Sequence, residues 1–204
     1  MRLFKRAKKK DGWLAVAIGR DGVAITSVRR APEAKPLVHF AQFFPGNSGV
    51  ETIEKAGREG QAGVRHCTTL LTGGDYQILN VEAPNVPRDE VKTAVCWRLK
   101  DILDFPAAEA TIDVLDIALD ANSRAQQSVF VVAAKNSIIA PRQKLFLDAK
   151  VELTAIDIPE MAQRNVSAML EPEGRGIAML SFGDDGGLLT VSYRGELYLS
   201  RRFD

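Results

Sequence analysis

Short apolar runs broken by glycine and proline recur along the chain, and their periods define the expected elements. Residues 12–18 form an apolar run opened by Asp11 and Gly12, the pattern of a buried strand. Gly19, Arg20, Asp21 and Gly22 then supply a turn, and the β-branched stretch 23–29 returns as the second arm of a hairpin. After a proline-bearing loop at 31–36, residues 37–44 alternate as a third strand, giving an antiparallel meander. A break at 45–48 is followed by a helix expected over 50–63, capped by Ser48 or Gly49 and weakened by Gly57 and Gly60. Strands are expected at 64–71 and 76–81, around a turn at 73–75.

Pro84 and Pro87 open a different pattern. Pro87 suits a first helical turn, Asp89 and Glu90 complement the positive end of the dipole, and Val91, Val95, Leu99, Ile102 and Leu103 fall on one stripe. That helix stops at Phe105-Pro106. Strands at 111–119 and 127–134, a polar turn at 120–125, a helix at 136–149 and a strand at 151–156 complete an α+β lobe. With no flexible linker on either side, this lobe reads as an insertion into the first fold. A further helix runs from 158 to about 170. Strands at 177–182, 188–193 and 196–201 follow, joined by a Gly/Asp turn at 183–187 and by Arg194-Gly195. The expected division is 1–11, a basic tip; 12–83, a first subdomain; 84–156, the inserted subdomain; and 157–204, a connecting helix with the start of a second lobe.

Composition narrows the chemistry. At 204 residues, 46% apolar and 26% charged, the chain is an ordinary globular protein rather than a disordered one. Cys67 and Cys96 are too few for a disulfide framework and read as small buried apolar residues in a reduced compartment. With only His39 and His66 available, no zinc site is expected, and the metal assignment is none. His66 and Cys67 on one strand face opposite ways, which excludes a local dyad. Asp101 with Asp104, and Asp113 with Asp116, read as solvated carboxylates. The apolar run at 129–134 is far short of the ~20 residues that span a bilayer.

The net charge of +1 hides an asymmetry. Six of the 27 basic residues lie in the first ten positions with no acid among them, so residues 11–204 carry five more acids than bases. This tip reads either as a solvated terminus or, with Leu3 and Phe4, as a salt-sensitive contact with anionic lipid at ~1 kcal/mol per cation. The acidic body offers no continuing basic face, and no nucleic-acid partner is expected.

The pattern of 12–44 returns at 177–201: apolar strand, glycine turn, apolar strand, turn, third strand. Two lobes that each open with such a hairpin resemble the actin-like ATPase fold, an α/β (ribonuclease H-like) architecture with an α+β insertion in its first lobe. Val91-Lys-Thr-Ala-Val-Cys-Trp97-Arg98, then Leu103-Asp104-Phe105-Pro106 and Ile112-Asp113-Val114, are similar to the PilM family of pilus-assembly proteins. So is Asp157-Ile-Pro-Glu160-Met-Ala-Gln-Arg164-Asn165. Within that family the MshI-like proteins of mannose-sensitive haemagglutinin (MSHA-type) pili look closest.

The resemblance implies that Gly19, Arg20 and Gly22 in one hairpin, and Gly183 and Gly186 in the other, stand where the fold holds nucleotide phosphates. It also implies an acid before each hairpin to hold metal and water, and those positions carry Ala17 and Ser181. Neither supplies a carboxylate, while Asp21, Asp184 and Asp185 sit within the turns, where they favour the turn or repel phosphate. No cofactor and no ATPase activity are therefore expected, and the chain to Asp204 holds only the start of the second lobe. The resemblance further implies a scaffold of type IV pilus assembly, cytoplasmic at the inner face of the bacterial inner membrane. Its partner would be a PilN-like inner-membrane protein that places a cytoplasmic peptide in a groove. The helix 87–103 and hairpin 111–134 would form one wall and strand 64–71 the other, with Trp97, Arg98 and Lys100 as partner-binding residues. The alternatives are a weak ATPase controlling assembly, with ATP and magnesium as cofactors, and the cytoplasmic L-type component of type II secretion.

Overall fold

The computed structural model describes residues 10–29, 35–117, 128–183 and 185–203. In chain order its first elements are β1 (Trp13–Ile18), β2 (Gly22–Arg29), β3 (Leu37–Pro45), α1 (Val50–Glu59), β4 (His66–Leu70), β5 (Tyr76–Glu82) and α2 (Val91–Arg98). Then come β6 (Ala110–Asp116), β7 (Ser128–Lys135), α3 (Asn136–Asp148), β8 (Leu153–Asp157), α4 (Pro159–Leu170), β9 (Ile177–Gly183), β10 (Gly186–Tyr193) and β11 (Glu196–Phe203). The chain divides into two units, Met1–Leu70 with Arg142–Asp157, and Leu71–Pro141 with Ile158–Asp204.

The first unit is built on a five-stranded sheet in the order β3-β2-β1-β4-β8. β1, β2 and β3 form the expected antiparallel meander, while β4 pairs parallel to β1. Alternation along β1 sends Leu14 and Val16 into the core and leaves Trp13 and Ala15 exposed. Val23, Ile25, Cys67, Ile53, Ala56, Phe146, Ala149 and Val151 join them in that core, and each larger apolar side chain contributes about 1.5–3 kcal/mol by burial. Residues 60–63, expected to extend the first helix, leave it instead: α1 ends at Glu59, and Gln61 has a φ of 58°, outside the helical basin. Gly57, read as a weak point, is a contact point. A Cβ there would lie 2.4 Å from Cγ2 of Val151.

Two strand assignments need correction. The strand at 151–156, expected to close the inserted lobe, is β8, and it pairs parallel to β4 in the first unit. β5, expected beside β4 in the first subdomain, pairs antiparallel with β7 in the second unit. Strand pairing joins residues far apart in sequence, and local periodicity does not specify it.

The second unit contains two three-stranded sheets, β5-β7-β6 and β11-β10-β9. α2 covers one face of the first, burying Val95 and Leu99 against Ile112, Val129, Val131 and Ala133. The helix expected over 87–103 is shorter than its stripe. Residues 87–90 make a turn, with the Glu90 N–H donating to the Pro87 carbonyl, and a 3-10 turn at Leu99–Asp101 follows α2. Beyond Leu99 the chain leaves the helical path, so Ile102 is exposed while Leu103 packs back. α4 packs on the β9–β11 sheet. The meander recurs there in the order seen in the first unit, and a turn with positive φ at Arg194 and Gly195 joins β10 to β11. The expected turn at 120–125, Asp184, and residues 1–9 of the basic tip lie outside the described residues. Among the described residues no helix is long and apolar enough to cross a membrane.

Candidate functional site

The first glycine hairpin is closed by the Gly19 N–H donating to the Gly22 carbonyl at 2.9 Å. Gly22 is required by its surroundings: its φ is 152°, and a Cβ there would lie 2.1 Å from the Phe44 carbonyl oxygen. Arg20 and Asp21 are exposed at the tip, and Ala17 is half-buried opposite Ala24.

In the second unit Gly183 and Gly186 pair across the β9–β10 hairpin. Oδ2 of Asp185, at the tip, accepts a 3.0 Å hydrogen bond from the Gly73 N–H. The turn carrying Gly73 is itself fixed by Asp75, whose carboxylate accepts from the Thr72 N–H at 3.0 Å and hydroxyl at 2.7 Å. The Ser181 hydroxyl, on the strand leading into this hairpin, donates to Oε1 of Gln163 at 2.6 Å. The buried Gln163 amide donates in turn to the Met179 and Leu188 carbonyls and to the Thr190 hydroxyl.

Sequence reasoning missed a buried charge cluster in this unit. Glu160, in the first turn of α4 and placed only as part of a helix start, is fully buried. It accepts hydrogen bonds from the Tyr76 hydroxyl and from the Arg202 guanidinium, whose Nε lies at 3.1 Å. Arg202 also donates to the Tyr76 hydroxyl. Burial first, and then the Glu160 charge, push the Tyr76 phenol well above its ordinary range. Burial works against the Arg202 charge, but Glu160 and Tyr76 more than offset it and raise its pKa. No local signal marks this cluster, since its members come from β5, α4 and β11.

The predicted partner residues separate on α2 and the turn after it. Trp97 is 65% exposed, and Nζ of Lys100 stands 3.8 Å from its ring centroid. Arg98 instead donates to the Glu82 carbonyl at 3.1 Å. Lys92, Cys96, Trp97, Lys100, Ala107 and Ala108 line an open, mainly apolar cleft of about 470 Å³. The candidate carboxylates are engaged singly, Asp104 with Gln77 and Asp113 with Lys92. The Asp101 and Asp116 side chains lie outside the description. His66 stacks on Trp13 at 5.1 Å while Cys67 is buried in the core, so the two side chains do point apart.

Among the solved structures similar to this chain, three match nearly all of it. The PilM-PilN type IV pilus biogenesis complex matches with a TM-score of 0.78 at 19% identity, covering 96% of this chain and 61% of that one. The cytoplasmic domain of EpsL, an inner membrane component of the type II secretion system of Vibrio cholerae, matches with a TM-score of 0.60 at 14% identity over 93% and 71%. A Bacteroides thetaiotaomicron protein with an actin-like ATPase fold and unknown function matches with a TM-score of 0.52 at 10% identity over 100% and 74%. The chain has the actin-like ATPase fold. It spans about three fifths of the chain it matches in the PilM-PilN complex. No family model and no curated protein matches the sequence.

Proposed function

We propose that this protein is a cytoplasmic scaffold of type IV pilus biogenesis, of the MSHA type, that binds the cytoplasmic peptide of a PilN-like protein of the inner membrane. The observation that carries this reading is the similarity of nearly the whole chain to a chain of the PilM-PilN type IV pilus biogenesis complex. The peptide docks in a groove for which α2 supplies a wall. Trp97 offers an apolar anchor, and Lys100 and Arg98 steer acidic residues of the partner. The basic tip at 1–10 adds a weak contact with anionic lipid at the inner face of the membrane. Ala17 and Ser181 make the phosphate hairpins at Gly19, Arg20, Gly22, Gly183 and Gly186 relics of an ATPase. Fluorescence polarisation of the labelled N-terminal peptide of the membrane partner tests this. Saturable binding supports it, and no binding above background overturns it. Calorimetry with ATP and magnesium separates a scaffold, which gives no heat, from a nucleotide-controlled ATPase.

A second reading, a cytoplasmic L-type component of type II secretion, is favoured by the EpsL similarity. Binding to the cytoplasmic segment of a secretion partner, with none to the pilus peptide, would select it.

A further inference from the structure

An exposed sheet edge invites pairing with another chain unless charge or proline blunts it. The edge strands of β3-β2-β1-β4-β8 carry Pro45 and Asp157, and those of β5-β7-β6 carry Glu82 and Asp113. In β11-β10-β9 one edge, β11, carries Arg201 and Arg202. The other, β9, carries neither a charge nor a proline. It has the composition of an inner strand. β1, its counterpart in the first meander, is one, paired with β2 on one side and with β4 on the other. Among the described residues β9 pairs with β10 alone.

Alternation divides β9 into two rows. Met179 and Ser181 face α4, where the Met179 sulfur accepts from the Ser167 hydroxyl and Ser181 donates to Gln163. Ala178, Leu180 and Phe182 face away and are exposed, Leu180 by 52% and Phe182 by 78%. Only two residues connect Gly183 to Gly186, which makes theirs the hydrogen-bonded pair at the end of the hairpin. By alternation Met179 and Ser181 also bond to β10, and the N–H and C=O groups of Ala178, Leu180 and Phe182 point to the open edge.

This edge is complementary to itself. With Leu180 opposite the partner's Leu180 in an antiparallel pair, Phe182 falls opposite the partner's Ala178, a large side chain against a small one at each end. Further out, the exposed Arg175 falls opposite the partner's Asp185, also exposed. Parallel pairing in the same register would set arginine against arginine and carboxylate against carboxylate. Charge therefore selects the antiparallel arrangement.

We propose that β9 joins two copies of this protein into a dimer, its strands pairing antiparallel about Leu180 so that the two β11-β10-β9 sheets become one. The interface lies apart from the Trp97 cleft and stands whether or not the pilus reading holds. One short strand per copy buries less than a standard interface, so the dimer is weak, with a Kd of about 50 µM. Sedimentation velocity of the whole chain from about 5 to about 200 µM should show a reversible monomer–dimer equilibrium. Leu180→Lys, which sets two ammonium groups against each other on the two-fold axis, should abolish it, and so should Phe182→Lys. Both positions are exposed, so neither change touches the core. Arg175→Asp should weaken association about tenfold, since it turns two attractions into repulsions. Amide exchange followed by NMR should find Ala178, Leu180 and Phe182 open in dilute protein and protected in concentrated protein. A monomer throughout that range, a dimer indifferent to Leu180→Lys or to Arg175→Asp, or edge amides already protected in the monomer would overturn the proposal.

Discussion

The Ser181 hydroxyl donates a 2.6 Å hydrogen bond to Oε1 of Gln163, tying the strand before the second glycine hairpin to helix α4. Nε2 of the same amide donates to Met179 O at 2.7 Å, Leu188 O at 3.2 Å and Thr190 Oγ1 at 3.0 Å. Gln163 therefore holds β9 and β10 together from the helix side. A carboxylate in place of Ser181 would oppose Oε1, and the amide cannot flip without turning its oxygen on two carbonyls. Gln163→Leu should destabilise the protein by about 2–3 kcal/mol, because it leaves the Ser181 and Thr190 hydroxyls short of partners. Ser181→Asp should cost about 1–2 kcal/mol for the same geometric reason. Urea unfolding followed by circular dichroism measures both, and unchanged midpoints would refute this account of the hairpin.

Glu160 is fully buried, whereas Arg202 keeps 27% of its side-chain surface. Removing one partner of a buried ion pair strands the other, and the residual exposure of Arg202 moderates the effect. Glu160→Gln should cost about 3 kcal/mol. Replacing both residues by apolar side chains, Glu160→Leu with Arg202→Met, should cost less than Glu160→Leu alone. Denaturation of these three variants and of Arg202→Met alone decides this, and additive losses would show that the pair is not coupled.

The meanders at β1–β3 and β9–β11 were legible because their information is local. Leu14 and Val16 alternate with Trp13 and Ala15, and Gly22 and the Arg194-Gly195 pair mark their own turns. The stripe on α2 was legible as far as Leu99, and there the helix ends although the apolar spacing continues. The partners of β5 and β8 were not legible, since both strands present good β sequences to either sheet. Nor was the Tyr76–Glu160–Arg202 cluster. Its members are 84 and 42 residues apart, and an acid in a first helical turn ordinarily serves the dipole from the surface.

Cys67 is buried in the first-unit core, and that burial pushes its thiol from 9.0 up to about 12 despite the charge of Lys10. The folded protein keeps this proton where the unfolded chain loses it. The contribution is complete below pH 9 and declines as pH rises through the window from 9 to about 12. Stability should fall there by about 1.4 kcal/mol per pH unit for this group. Tyr76 is shifted in the same direction and adds to the fall at higher pH. Cys67→Ala should flatten the first part of the alkaline limb, and urea midpoints measured across that range check it. A limb identical in both proteins would refute the assignment.

Trp97 and Lys100 lie on a face that contributes little to folding. Trp97→Ala should change stability by no more than about 0.5 kcal/mol. It should nevertheless weaken binding of the PilN-like peptide by about 30-fold, as loss of a central aromatic anchor does. Lys100→Ala, which also removes the cation over the ring, should weaken binding by about threefold and reduce its salt dependence. Polarisation titrations at two ionic strengths measure both. Unaltered affinity in Trp97→Ala would remove α2 from the interface while leaving the scaffold reading to be tested elsewhere.

Gly57 and Val151 make the sharpest packing test. Glycine in the middle of α1 forgoes about 1 kcal/mol of helix propensity relative to alanine, so an alanine there would stabilise an isolated helix. In the folded unit its Cβ would come within 2.4 Å of Cγ2 of Val151, a residue buried in the same core. Overpacking of that kind costs about 1–3 kcal/mol, so Gly57→Ala should be net destabilising despite the better propensity. Val151→Ala alone should also destabilise, by about 1–2 kcal/mol, through the lost methyl groups. Combined, the two should cost less than their sum, because truncating Val151 clears the space that the new methyl needs. A double-mutant cycle from urea unfolding gives the coupling directly. A value near zero would mean that α1 moves aside to accommodate the methyl and that Gly57 does not set the helix-to-sheet distance.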